Sequence, residues 1–122
     1  MASFPGTSTE RQQTGTKAED DALAFLQGQG LTPVTRNFRC RSGEIDLIMR
    51  EGNTLVFVEV RKRKNRLYGG AAASITPAKQ QKIIKTAYFY LQRYKTLPAC
   101  RFDVVAWDGN ACQWLKNTIE AT

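Results

Sequence analysis

Residues 54–60 of the chain are almost continuously apolar and rich in β-branched and aromatic side chains, and residues 45–49 form a shorter apolar run interrupted by Asp46. Between them, Gly52-Asn53 suits a two-residue hairpin loop that needs a positive φ. Counting outward from that loop sets Glu51 against Thr54, Ile48 against Phe57, Asp46 against Glu59 and Glu44 against Arg61. Opposed residues share a face because strand side chains alternate. One face then carries Glu44, Asp46, Ile48, Leu55, Phe57, Glu59 and Arg61. The other carries Ile45, Leu47, Met49, Val56, Val58 and Val60. Apolar residues on both faces near the turn predict central strands covered on both sides. At the far end, one face alone turns acidic.

A helical period begins at about Thr16, with Ala18, Ala22, Phe25 and Leu26 on one stripe and Gly28 and Gly30 as its stop. Glu19, Asp20 and Asp21 then fall in the first turn, where acids complement the helix dipole. Residues 1–14 are polar and without period, which predicts a loose tail ahead of one domain over residues 15–122. Residues 31–40 read as a first strand, with Pro33 at its start or on an edge. Thr76 as N-cap and Pro77 in the first turn open a second helix, with Ile83, Ile84, Ala87, Tyr88, Leu91 and Tyr94 as its buried stripe. Residues 101–107 form a further strand, with residues 112–115 pairing at its edge. Asp103 on that strand is expected to hold Arg101 or a backbone amide. A helix followed by β-ββ-α-ββ predicts an α/β fold, a mixed central sheet flanked by helices.

Charge changes this picture. The 122-residue chain is long enough for one core and carries a net +7, which favours a polyanionic partner. Residues 60–102 hold eleven Lys or Arg and no acid. The densest part, Arg61-Lys62-Arg63-Lys64-Asn65-Arg66, runs directly off the acidic strand. A charge run is usually a solvated face. Beside a carboxylate cluster this one fits a duplex groove, in which Arg61, Lys62, Arg63, Lys64 and Arg66 would neutralise phosphates. Lys79 and Lys82 add cations at the opening of the second helix, where the dipole also favours an anion. Cys40, Cys100 and Cys112 are odd in number and widely spaced, and histidine is absent. That argues against a zinc site or a Cys–His nucleophile and suits reduced thiols in a cytoplasmic protein. No apolar run is long enough to span a membrane.

Like charges opposed across a hairpin destabilise it, and burying them raises their pKa. A hard cation removes the conflict, since Mg²⁺ is typically held by one or two carboxylates together with substrate phosphate. The plain alternative is a salt-bridged sheet end, with Arg61 neutralising Glu44, Asp46 and Glu59.

Gly43-Glu44-Ile45-Asp46-Leu47-Ile48, then Phe57-Val58-Glu59-Val60-Arg61, then Tyr68-Gly69 and Thr76-Pro77-Ala78-Lys79 resemble the YraN family of bacterial endonucleases. That family is assigned to the restriction-endonuclease-like PD-(D/E)xK superfamily, near the Holliday-junction resolvases. The resemblance runs from about Gly15 to the C-terminus. It implies a Mg²⁺- or Mn²⁺-dependent endonuclease acting on DNA, branched or otherwise structured. By position, Asp46 and Glu59 match the two acids of the motif. They would hold the metal with the Val60 carbonyl, with Glu44 or the helix-borne Glu19 completing the set. Arg61 stands where the superfamily usually has lysine, and Lys62 should point to the other face. The competing readings are a non-catalytic nucleic-acid-binding module and a basic protein-interaction domain. A homodimer is left open.

Overall fold

The computed structural model describes residues 10–63, 75–109 and 111–119, and the side chains of residues 10–16 and 63 lie outside the description. The elements are α1 (Glu10–Gly28), β1 (Thr32–Cys40), β2 (Gly43–Glu51), β3 (Thr54–Arg63), α2 (Pro77–Leu91), β4 (Cys100–Asp108) and β5 (Ala111–Leu115). The strands form one five-stranded sheet in the order β1-β2-β3-β4-β5. Every pairing is antiparallel except β3 with β4, which run parallel. A parallel pair needs a crossover, and α2 provides it. This is an α/β fold with a mixed sheet, as the element order predicts.

Each face of the sheet is covered by one helix. Ala22 and Leu26 of α1 pack on Leu47, Met49, Val56, Val58 and Val105. Ile83, Ile84, Ala87, Tyr90 and Leu91 of α2 pack on Ile48, Leu55, Phe57, Phe102 and Val104. That double cover explains why β2 and β3 are apolar on both faces near the turn.

The hairpin register is the expected one over its paired length, with Glu51 opposite Thr54 and Ile48 opposite Phe57. Gly52 supplies the positive φ, at 61°. The ladder stops at Leu47 opposite Val58, so Asp46 and Glu59, and Glu44 and Arg61, are not ladder partners. Beyond that point strict alternation also fails, since Ile45 joins the α2-side core although Leu47 and Met49 face α1. There β2 stays paired only with β1 and β3 only with β4, so the two strands no longer share one pleat.

Three other expectations need correction. Helix α1 begins at Glu10, well before Thr16 and inside the stretch expected to be a tail. Glu19, Asp20 and Asp21 therefore lie in the body of the helix, and the first-turn dipole argument does not apply to them. On α2, Tyr90 is buried and Tyr88 is 49% exposed, because the buried stripe continues through Thr86, Ala87, Tyr90 and Leu91. The N-cap is as read: the Thr76 hydroxyl accepts the Lys79 amide at 3.2 Å, with Pro77 next in line. Pro33 sits on edge strand β1, beside a register shift between Pro33 and Thr35. Among the described residues no helix is long and apolar enough to cross a membrane.

Candidate functional site

Where β2 and β3 part, a cleft of about 640 Å³ opens between the sheet end and the two helices. Its floor is formed by Gly43, Glu44, Asp46, Glu59, Val60 and Arg61. Ala18 and Glu19 of α1 line one wall, and Ala78, Lys79 and Lys82 of α2 line the other. The site thus draws on both helices and both central strands.

The parting of the strands has a local cause. The Val60 amide donates to Asp46 Oδ2 at 2.8 Å, so a side chain takes the place of a β2 carbonyl. In a strand the N–H and C=O of one residue leave toward the same neighbour. The Val60 carbonyl therefore emerges on the edge where Asp46 waits. Gly43 is needed at the start of β2, because a Cβ there would come within 3.2 Å of the buried Thr86 hydroxyl of α2.

Glu59 is buried, and Asp46 is half-buried just across from it. Desolvation first, and the Asp46 charge second, push the Glu59 carboxyl up to about 8. Asp46 is raised as well, by burial foremost, against the opposing pull of the Val60 amide. The contact between the two carboxyls favours the proton on Glu59 over Asp46. Glu19 reaches the same cleft from α1, and burial together with the Asp46 charge pushes it to about 7. Burial raises all three acids, and the Asp46 charge raises Glu19 and Glu59 further.

The cations nearby do not resolve this. Arg61 Nε lies 3.5 Å from Glu59 Oε2, too long and poorly aimed for a hydrogen bond, and that buried N–H has no hydrogen-bond partner. Glu44 does not meet Arg61. It turns outward to Arg39, at 3.0 Å. Arg61 thus faces Glu59, and the expected Glu44–Arg61 pairing is absent because the ladder ends before reaching it. Lys79 acts on Glu59 only through its field. Lys62 lines the cleft rim and is exposed, as is Lys82. Arg63 closes β3 with its side chain outside the description, and Lys64, Arg66, Tyr68 and Gly69 lie outside the described residues.

Asn37 also reaches the site, although it is not among the residues singled out above. Its amide donates to Glu19 Oε1 at 2.9 Å, and its backbone sits at φ 51° in the middle of β1. Arg36 reaches Glu19 at 3.7 Å and Asp20 at 2.7 Å. The available signal was an asparagine inside a strand, the residue type that best tolerates the left-handed region after glycine.

Could such a set hold a divalent cation? Among the described residues no group of three or more His, Cys, Asp or Glu is arranged as a ready metal cage. Asp46, Glu59 and the Val60 carbonyl do fit the sparser pattern of two carboxylates and one carbonyl. That pattern leaves most of the shell to water and substrate oxygen, the mode magnesium favours. The pair's mutual repulsion is the feature that a cation would relieve.

Comparison with known proteins places the chain. Residues 18–107 match the model described as "Uncharacterised protein family UPF0102". A UPF0102 protein of Herminiimonas arsenicoxydans is 59% identical over 93% of this chain and 91% of its own length. One from Janthinobacterium sp. (strain Marseille) is 54% identical over 99% of this chain and 98% of its own. Another, from Alkalilimnicola ehrlichii, is 50% identical over 96% and 94%. The chain belongs to the UPF0102 family.

Proposed function

We propose that this UPF0102 protein is a metal-dependent endonuclease that hydrolyses phosphodiester bonds in DNA, with branched or otherwise structured DNA as its substrate. The observation that carries this reading is the Asp46–Glu59 pair, two buried carboxyls in conflict at the floor of a cleft rimmed by Arg61, Lys62, Lys79 and Lys82. The resemblance to the YraN endonucleases and the PD-(D/E)xK superfamily supports it, because the motif acids fall on this same pair.

Asp46, Glu59 and the Val60 carbonyl would hold Mg²⁺ or Mn²⁺. The ion would supply a Lewis acid for the phosphoryl oxygen and a lowered pKa for water. Glu44 and Glu19 flank that position. Glu19, with its carboxyl at about 7, is matched to accept a proton from the attacking water near neutral pH. Arg61 would hold the scissile phosphate and stabilise the charge that develops on it. A guanidinium is no general base. Lys62, Lys79 and Lys82 would neutralise neighbouring phosphates, as would Arg63, Lys64 and Arg66 in the basic run.

A second reading has its own support. The Arg61–Glu59 and Arg39–Glu44 ion pairs, with no ready three-acid cage among the described residues, suit a salt-bridged sheet end in a DNA-binding module. Cleavage of duplex, flap and four-way-junction DNA with Mg²⁺, Mn²⁺ or EDTA separates the two. The nuclease cuts with metal and stops in EDTA, and Asp46→Asn abolishes cutting. Arg61→Ala should slow it roughly 10²-fold or more, by comparison with losing one oxyanion donor, and Arg61→Lys should keep it. DNA binding without cleavage under any of these conditions would leave the binding module.

A further inference from the structure

A series of aromatic rings runs from the core to the surface on the α2 side. Phe102 stacks on Phe57 at 5.3 Å, and Phe57 meets Tyr90 edge-on at 6.1 Å. Tyr90 meets Phe38 edge-on at 5.1 Å, and Phe38 stacks on Phe89 at 6.2 Å. Phe102, Phe57 and Tyr90 are buried and Phe38 is half-buried, whereas Phe89 ends the series 59% exposed. Arg93 places its guanidinium 5.5 Å from the Phe38 ring centre and 3.9 Å from that of Tyr90.

An isolated exposed apolar side chain is ordinary. The setting of this one is not. Phe38 stacks against the ring on its inner side. Lys82, Lys85 and Arg93 are all exposed on or just past the same helix, and α2 contains no acid. Lys82, Lys85, Phe89 and Arg93, all exposed, recur at helical spacing along one stripe. That stripe starts in the cleft, where Lys82 is a wall residue, and follows α2 toward β1, where Phe38 lies. Phe89 stands roughly 10 Å beyond Lys82 along the helix axis.

We infer that Phe89 is a stacking platform for an unpaired base of single-stranded DNA that leaves the cleft along the seam between α2 and β1. An exposed aromatic face bordered by phosphate-neutralising cations is the combination that single-strand binding uses. A second copy of this chain is a poorer occupant, since it would bring identical cations against these. The inference rests on the DNA reading of the cleft and narrows it to substrates with a single-stranded arm, such as a flap.

The test measures binding by fluorescence anisotropy in EDTA, so that it needs no cleavage. The parent, Phe89→Ala and Phe89→Tyr are each titrated with single-stranded DNA, a flap and a blunt duplex. Phe89→Ala should lose about 10-fold or more in affinity for the single strand and the flap, with duplex affinity held within about 2-fold, and Phe89→Tyr should behave as the parent. Unchanged single-strand affinity, or an equal loss on duplex, overturns the platform. So does a loss of self-association by sedimentation that leaves DNA binding intact, which would identify a second copy as the occupant. A parent that binds no DNA overturns platform and nuclease reading together. A parent that shows the expected pattern but never cuts with Mg²⁺ or Mn²⁺ loses the nuclease reading and keeps the platform.

Discussion

Two places in the sheet bury carboxylates, and they handle them in opposite ways. Asp103 on β4 is wholly buried, yet every lone pair has work. It accepts Arg101 Nε at 3.1 and 3.2 Å, Trp114 Nε1 at 2.9 Å and the Asn117 amide at 2.9 Å. Arg101 then extends the network to Glu51 at 2.6 Å. Asp46 and Glu59 are less deeply buried and far worse served: desolvation raises both, and the Asp46 charge raises Glu59 further. Burial alone therefore does not mark out the proposed site. Unresolved conflict between groups does, because a structural carboxylate has no reason to retain it.

Substitutions at the two places should separate them. The largest expected effect is on stability at Asp103. Asp103→Ala leaves the half-buried Arg101 Nε, an indole N–H and a backbone amide without their acceptor, and should cost roughly 3–5 kcal/mol in chemical denaturation. A loss below about 1 kcal/mol would show that the network is not the fold's support.

At the cleft the sign reverses. Glu59 titrates near 4.5 in the unfolded chain and near 8 in the fold, so between those values the folded state binds more protons. Stability of the metal-free protein should therefore fall as pH rises from about 5 to 8. Glu19, raised to about 7, adds to the same slope. Glu59→Gln should flatten the profile and leave the variant on the order of 1–2 kcal/mol more stable than the parent at pH 8. Mg²⁺ should stabilise the parent most at that same pH, and Glu59→Gln hardly at all. Thermal melts across pH with and without metal read both. A parent whose stability rises over this range would mean the two acids are not in conflict.

The smallest effect concerns Asn37, whose backbone at φ 51° holds an amide against Glu19. Asn37→Ala should cost about 1–2 kcal/mol, combining the left-handed penalty with the lost hydrogen bond. Asn37→Gly should cost less, since glycine carries no such penalty. Equal losses would assign the whole cost to the hydrogen bond.

Much of this architecture is legible in the chain. The Gly52-Asn53 turn fixes the register, and counting from it reaches Asp46 and Glu59 with no other information. Thr76-Pro77 announces α2, and Asp103 reads as structural because Arg101 lies beside it on the strand. The count fails where backbone pairing ends: it opposes Glu44 to Arg61, but Asp46 takes the Val60 amide and the strands part. The start of α1 is hidden because residues 10–15 are polar and carry no hydrophobic period. Asn37 is hidden for a different reason. Its role depends on a contact between α1 and β1 that no local pattern encodes.

The parallel pairing of β3 with β4 also dictates an order of assembly. β1, β2 and β3 are joined by tight turns, so their contacts close short loops and can form early. β4 can add only after the chain has crossed the sheet through α2, a long loop closure made late. Asp46 and Glu59 therefore meet in the early meander, before the Lys79–Lys82 wall arrives. For that interval the nascent hairpin carries two neighbouring acids with Arg61 beside them but without the lysines of α2. Refolding should then run faster at pH 5 than at pH 8, with the difference abolished in Glu59→Gln.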